Sequence, residues 1–136
     1  MPTWGELKEY ARSKFTLNND DDDDDDDDDD GFSIVFKFDD DRTQLIGVHH
    51  FTAFDKDWVE FRSYVCKESE MSPKVALKKN DDFAIGALAL DEDGDYCLLY
   101  SAQLDTLDPE EFELPLHILA RVADELEETF SAGDDH

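Results

Sequence analysis

A chain of 136 residues, 40% hydrophobic and 12% aromatic, is the size of one domain; it can bury roughly two thirds of the surface its unfolded form exposes and has no room for a second core. Its 38 acidic residues against 12 basic ones give a net charge of −26, a field that repels nucleic-acid phosphates and anionic membranes and favours solubility and cationic partners. No stretch approaches the roughly 18 apolar residues of a membrane span and no basic lead precedes an amino-terminal apolar run, so a cytoplasmic protein is expected.

Thr3 is placed to cap a first helix from Trp4 to about Phe15, with Glu6 at the third helical position completing a capping box. Trp4, Leu7, Ala11 and Phe15 share its inner face, which reads as packing surface. Leu17-Asn18-Asn19 breaks that pattern and leads into Asp20–Asp30. Eleven adjacent carboxylates repel one another and bury nothing apolar, so residues 18–31 are expected to form a disordered poly-Asp loop. Without the tract, 27 acidic residues still face 12 basic ones, a charge of −15, so acidity is also spread over the part that folds.

Three strands follow. Phe32, Ile34, Phe36 and Phe38 alternate with Ser33, Val35, Lys37 and Asp39, which makes one face wholly apolar. Gln44 to Phe54 is apolar on both faces. After the turn Asp55-Lys56-Asp57, the strand Trp58 to Lys67 sends Val59, Phe61, Ser63 and Val65 one way, and Trp58, Glu60, Arg62, Tyr64 and Cys66 the other. Short turns join the three as an antiparallel meander.

Pro73 opens a short helix to about Asn80, with Lys78 and Lys79 at its negative end. The runs Phe83–Leu90 and Tyr96–Leu104, joined through Asp93-Gly94, form a hairpin. Asp108 then caps a long helix whose first residue is Pro109. Phe112, Leu116, Leu119, Val122, Ala123, Leu126 and Phe130 form its buried stripe, while Glu113, Arg121, Asp124, Glu127 and Glu128 are expected to face water. Pro115 forfeits one backbone hydrogen bond and should bend this helix near Glu111 without ending it. The tail 131–136 should fray.

Asn80, Ile85-Gly86-Ala87-Leu88-Ala89-Leu90-Asp91, Gly94 and Leu119-Ala120-Arg121-Val122-Ala123-Asp124-Glu125-Leu126-Glu127 together resemble the YbjN-like, type III secretion chaperone-like family. The order of elements fits that family throughout the chain. The resemblance implies a small α/β fold and a module, frequently dimeric, that binds segments of other proteins. It carries no catalytic motif to this chain.

The residues offer little chemistry of their own. Asp91-Glu92-Asp93-Gly94-Asp95 lacks the glycine at position six and the glutamate at position twelve that a calcium loop needs. His49 and His50 are adjacent on a strand and point to opposite faces, His117 lies on the last helix, and Cys66 and Cys97 have no close Cys or His spacing for zinc. Both cysteines sit in apolar runs and read as buried, reduced thiols. No phosphate-cradling glycine loop or nucleophile motif is present. No cofactor and no metal site is expected, and the chain is not expected to be an enzyme.

The expected fold is a two-layer α+β domain over residues 1–136 in the order α-βββ-α-ββ-α. It has a five-stranded antiparallel sheet with the first and last helices on one face and a short middle helix. The sheet's other face carries Trp58 and Tyr64, with Val35 as a further member, and these are the expected partner-binding residues. Together with the resemblance, that face makes a protein or peptide segment the expected partner and a homodimer the expected state, with no nucleic acid and no membrane. The alternative is an acidic decoy or cation-binding protein that acts through the poly-Asp loop.

Overall fold

The computed structural model describes residues 3–18, 31–38 and 42–130. The Asp tract and the tail 131–136, expected as a mobile loop and a frayed end, lie outside the described residues.

Capping chemistry sets the helix starts. In α1 (Trp4–Lys14), the Thr3 hydroxyl accepts from the Glu6 N–H at 3.1 Å and the Thr3 N–H donates to the Glu6 carboxylate at 3.0 Å, which satisfies two otherwise orphaned donors. Ser72 caps α2 (Pro73–Asn80), accepting from the Val75 N–H at 3.2 Å. Asp108 and Glu111 form the same reciprocal pair at α3 (Pro109–Phe130), with distances of 2.9 and 3.1 Å. One helix runs through Pro115, which is buried within it.

The strands are β1 (Thr16–Asn18), β2 (Gly31–Lys37), β3 (Thr43–Ala53), β4 (Lys56–Lys67), β5 (Ala87–Leu90) and β6 (Asp95–Gln103). They form one sheet in the order β1-β2-β3-β4-β6-β5, antiparallel at every pairing. The α+β class and helix arrangement are as expected, but the sheet has six strands rather than five. Thr16–Asn18 is the addition: it pairs with Ser33–Val35 of β2, so backbone pairing makes a strand of a segment with one apolar residue. Phe83–Leu90 also yields a shorter strand than expected, because Gly86 at φ +92° turns the chain just before Ala87.

Alternation decides which side chains are covered. Ile34, Ile46, Val48, Val59, Phe61, Val65 and Leu98 are buried in a single core with Leu7 and Ala11 of α1, Ala76 of α2, and Phe112, Leu116, Leu119 and Ala123 of α3. All three helices therefore cover the same sheet face. Each large apolar side chain so buried stabilises the fold by about 2 kcal/mol relative to exposure.

Two expectations about facing fail. A bulge between Tyr64 and Cys66 shifts the register of β4, so Cys66 pairs with Tyr96 and is buried in the core instead of pointing outward with Tyr64. An extra residue on one strand reverses side-chain parity beyond it. Asp124, expected to face water, is buried because Arg42 reaches it from the start of β3.

Candidate functional site

The helices leave the second face of the sheet bare, and the outward residues of each strand compose it. On the central strand β4 these are Trp58, Glu60, Arg62 and Tyr64. Arg62 lies along Glu60, with both guanidinium contacts at 3.3 Å, which keeps the middle of the strand polar. Next to it on β6 is Cys97, opposite Tyr64 in the register. Burial pushes the Cys97 thiol up, and Arg62 pulls against that shift. The thiol lies 3.6 Å from the Asp91 carboxylate. The backbone N–H groups of Asp95 and Asp93 hold that carboxylate below its usual range, as expected for an anion accepting amide hydrogen bonds.

Apolar residues gather at the two ends of this face. At one end, Val35 stands opposite Leu45. The Ser63 hydroxyl donates to the Leu45 carbonyl at 2.8 Å, and the Gln44 amide donates to the Tyr64 carbonyl at 3.0 Å. These bonds keep the start of β3 alongside Tyr64. Leu45 is 46% exposed and Tyr64 39%. At the other end, Phe51 and Trp58 are register partners whose rings stack at 6.4 Å and 17°, and the Trp58 indole N–H donates to the Ala53 carbonyl at 2.9 Å. The hairpin beyond them turns through Phe54 and Asp55, both at positive φ (+53° and +64°). Phe54, at this tip, is 91% exposed.

Trp58, Tyr64 and Val35 thus lie on one face by register, and Trp58, near the strand end, also lines a cleft with the first turns of α3. They do not form one pocket: six residues of extended strand separate Trp58 from Tyr64, about 20 Å, and Val35 belongs to the Tyr64 end. Sequence reasoning passed over Leu45 and Phe51. The available signal was that Gln44–Phe54 is apolar on both faces, which requires some of its large residues to point outward.

Two solved structures share this fold. A chain of the HopA1–SchA chaperone–effector complex matches with a TM-score of 0.61 at 15% identity, over 90% of this chain and 90% of that one. A chain of the ExsC–ExsE complex matches with a TM-score of 0.56 at 15% identity, over 98% of this chain and 100% of that one. Each match shows a shared fold. At this identity the likeness is one of fold, and neither structure shows the narrower YbjN-like relationship. No protein-family model matches the sequence, and no curated protein matches it.

Among the described residues, no group of three or more His, Cys, Asp or Glu side chains is arranged to hold a metal ion. His50 turns to Asp57 at 3.0 Å and stacks on Trp4, while His117 packs against Phe15 and Phe36. These histidines are built into the packing of separate elements. No described helix is long and apolar enough to cross a membrane.

Proposed function

We propose that this chain is a non-catalytic, cytoplasmic module that holds an extended or partly helical segment of a protein partner against the helix-free face of its sheet. One observation carries the reading: a sheet face with Leu45 and Tyr64 at one end and Phe51 and Trp58 at the other, uncovered by any described element. Exposed apolar clusters of this kind mark interaction sites, and their placement at two ends of one face suits a segment that spans the sheet. The fold shared with chains of two complexes, one of them named a chaperone–effector complex, supports the same reading.

Partner capture by the purified protein tests it. Three forms are compared with the intact chain: one lacking Asp20–Asp30, one carrying Val35→Ser with Tyr64→Ala, and one carrying Trp58→Ala, each first shown to fold. Capture that survives loss of the tract and high salt, but fails in the sheet-face variants, is the expected result. Capture that depends on the tract and fades with salt would replace this reading with the acidic decoy or cation-binding one.

The module is further proposed to be a homodimer. The surface available for self-association lies at the β5 edge, where α2 packs against β5. The Asn80 carboxamide accepts there from the Leu88 N–H at 2.7 Å, and Leu77 of α2 stands 68% exposed. An isologous contact through such a patch closes on itself.

A further inference from the structure

β6 is longer than its edge neighbour. It pairs with β4 along its whole length, from Asp95 to Gln103, but on the other side β5 covers it only from Tyr96 to Leu99. Among the described residues no strand pairs with Tyr100–Gln103 on that open side. Backbone donors and acceptors along such an edge can pair with an added strand.

A cleft of about 640 Å³ runs along this open stretch, between the end of β6, the turn Leu104–Thr106 and the first turns of α3. Trp58, Ile85, Tyr100 and Leu114 supply apolar wall. Leu114 is 55% exposed although it sits on the helix with the main buried stripe. The charged side chains lining the cleft are Asp108, Glu110 and Glu111, and no lysine or arginine lines it. One carboxylate would suffice to offset the positive end of a helix; three leave the rim negative.

Open strand edge, apolar wall and anionic rim converge on one kind of occupant. We propose that this cleft takes an extended, lysine- or arginine-bearing segment of a protein partner. Its backbone pairs with Tyr100–Gln103, its apolar side chains lie on Trp58 and Leu114, and its cationic side chains face Asp108, Glu110 and Glu111. Strand addition supplies backbone hydrogen bonds, and the side-chain sites supply selection. The opposed charges favour encounter with basic segments over acidic ones. The proposal rests on the reading of the chain as a protein-segment binder, and it places part of the binding at a site separate from the Tyr64 end of the sheet face.

The test uses the full chain with Trp4→Phe, which leaves Trp58 as its one tryptophan reporter. Three short blocked peptides are titrated: one alternating lysine with valine, one alternating glutamate with valine, and the lysine peptide N-methylated at alternate residues. The lysine peptide should shift Trp58 emission with an affinity that falls as salt rises, and the other two should not bind. Glu110→Lys and Leu114→Ser should each weaken binding about tenfold with circular dichroism unchanged, while the same charge reversal at Glu9, on the exposed side of α1, should leave it intact. Equal binding of the glutamate peptide, indifference to both cleft substitutions, or no binding of the lysine peptide would each overturn the proposal. The sheet-face reading would then still stand or fall on its own capture experiment. Loss of lysine-peptide binding in Tyr64→Ala alone would move the peptide to the sheet face, ending the cleft assignment and keeping the broader reading.

Discussion

Arg42 at the foot of β3 donates from Nε to the Asp124 carboxylate of α3 at 3.1 Å, across 82 residues of sequence, and its Nη2 donates to the same carboxylate. Its guanidinium also meets Glu128 one turn further along, at 3.0 Å. A bidentate pair of this kind fixes orientation as well as distance. It holds the second half of the last helix over the strand that carries Leu45 to the opposite face.

Asp124→Asn should therefore destabilise the protein by about 2 kcal/mol, less than a fully buried pair would lose because Arg42 keeps partial contact with water and with Glu128. Urea unfolding at neutral pH checks this. A loss below about 0.5 kcal/mol would place the contact with ordinary screened surface pairs.

Glu127 sits beside that pair, and burial first, then the neighbouring Asp124 carboxylate, raises its pKa. A raised folded pKa means the fold binds this proton more tightly than the unfolded chain does. Its contribution is fully present below the ordinary carboxylate range and is lost as pH rises through the elevated folded value. Glu127→Gln should accordingly raise the thermal midpoint at neutral pH, by about 2 °C. That gain should vanish below about pH 4.

The two thiols should be inert while the protein is folded. Burial pushes Cys66 up to about 11 and raises Cys97 as well, and both are buried and unpaired with each other. Since the thiolate is the reactive form, an aromatic disulfide reagent at mildly alkaline pH should titrate neither in the native protein and both after denaturation. Prompt native labelling at either position would contradict the buried placement.

Light scattering at micromolar concentration should give the mass of a dimer, and Leu77→Asp should convert it to a monomer with unchanged secondary structure. A monomeric mass for the unaltered chain across the concentration range would remove the dimer from the proposal.

Replacing Asp20–Asp30 by a glycine-serine segment of equal length takes the net charge from −26 to −15. With less self-repulsion to offset, the thermal midpoint at low salt should stay the same or rise, and the difference should shrink as salt is added. A large fall would show that the tract's carboxylates serve the fold.

Features set by neighbours in sequence were legible without coordinates. Thr3 with Glu6, Pro73, and Asp108 with Pro109 announce helix starts because each signal lies within three residues of the start itself. The buried stripe of α3 and the inward face of β2 follow from simple periodicity. Asp124 was misplaced because its partner lies 82 residues away, and nothing local distinguishes a carboxylate with a distant arginine from one in water. Cys66 was misplaced because a bulge depends on both strands, and β1 was missed because its pairing comes from β2.

The candidate face was half legible. Parity along β4 assigned Trp58 and Tyr64 to the same side, but only the register among β2, β3 and β4 shows that they head two separate groups, Tyr64 with Leu45 and Val35, Trp58 with Phe51. The cleft beside β6 was invisible in sequence, since it exists only because β5 stops opposite Leu99 while β6 continues to Gln103.

The cover that α3 places over β3 and β4 also sets a schedule. A chain made from its amino end completes β2, β3 and β4 well before α3 emerges, and at roughly 5–20 residues per second Ile46, Val48 and Phe61 wait seconds for the helix that shields them. Charge upstream of these strands, Asp20–Asp30 included, is already made during that interval and adds like-charge repulsion between neighbouring nascent chains. The acidic stretch near the amino end thus precedes the sticky part of the chain in time as well as in sequence.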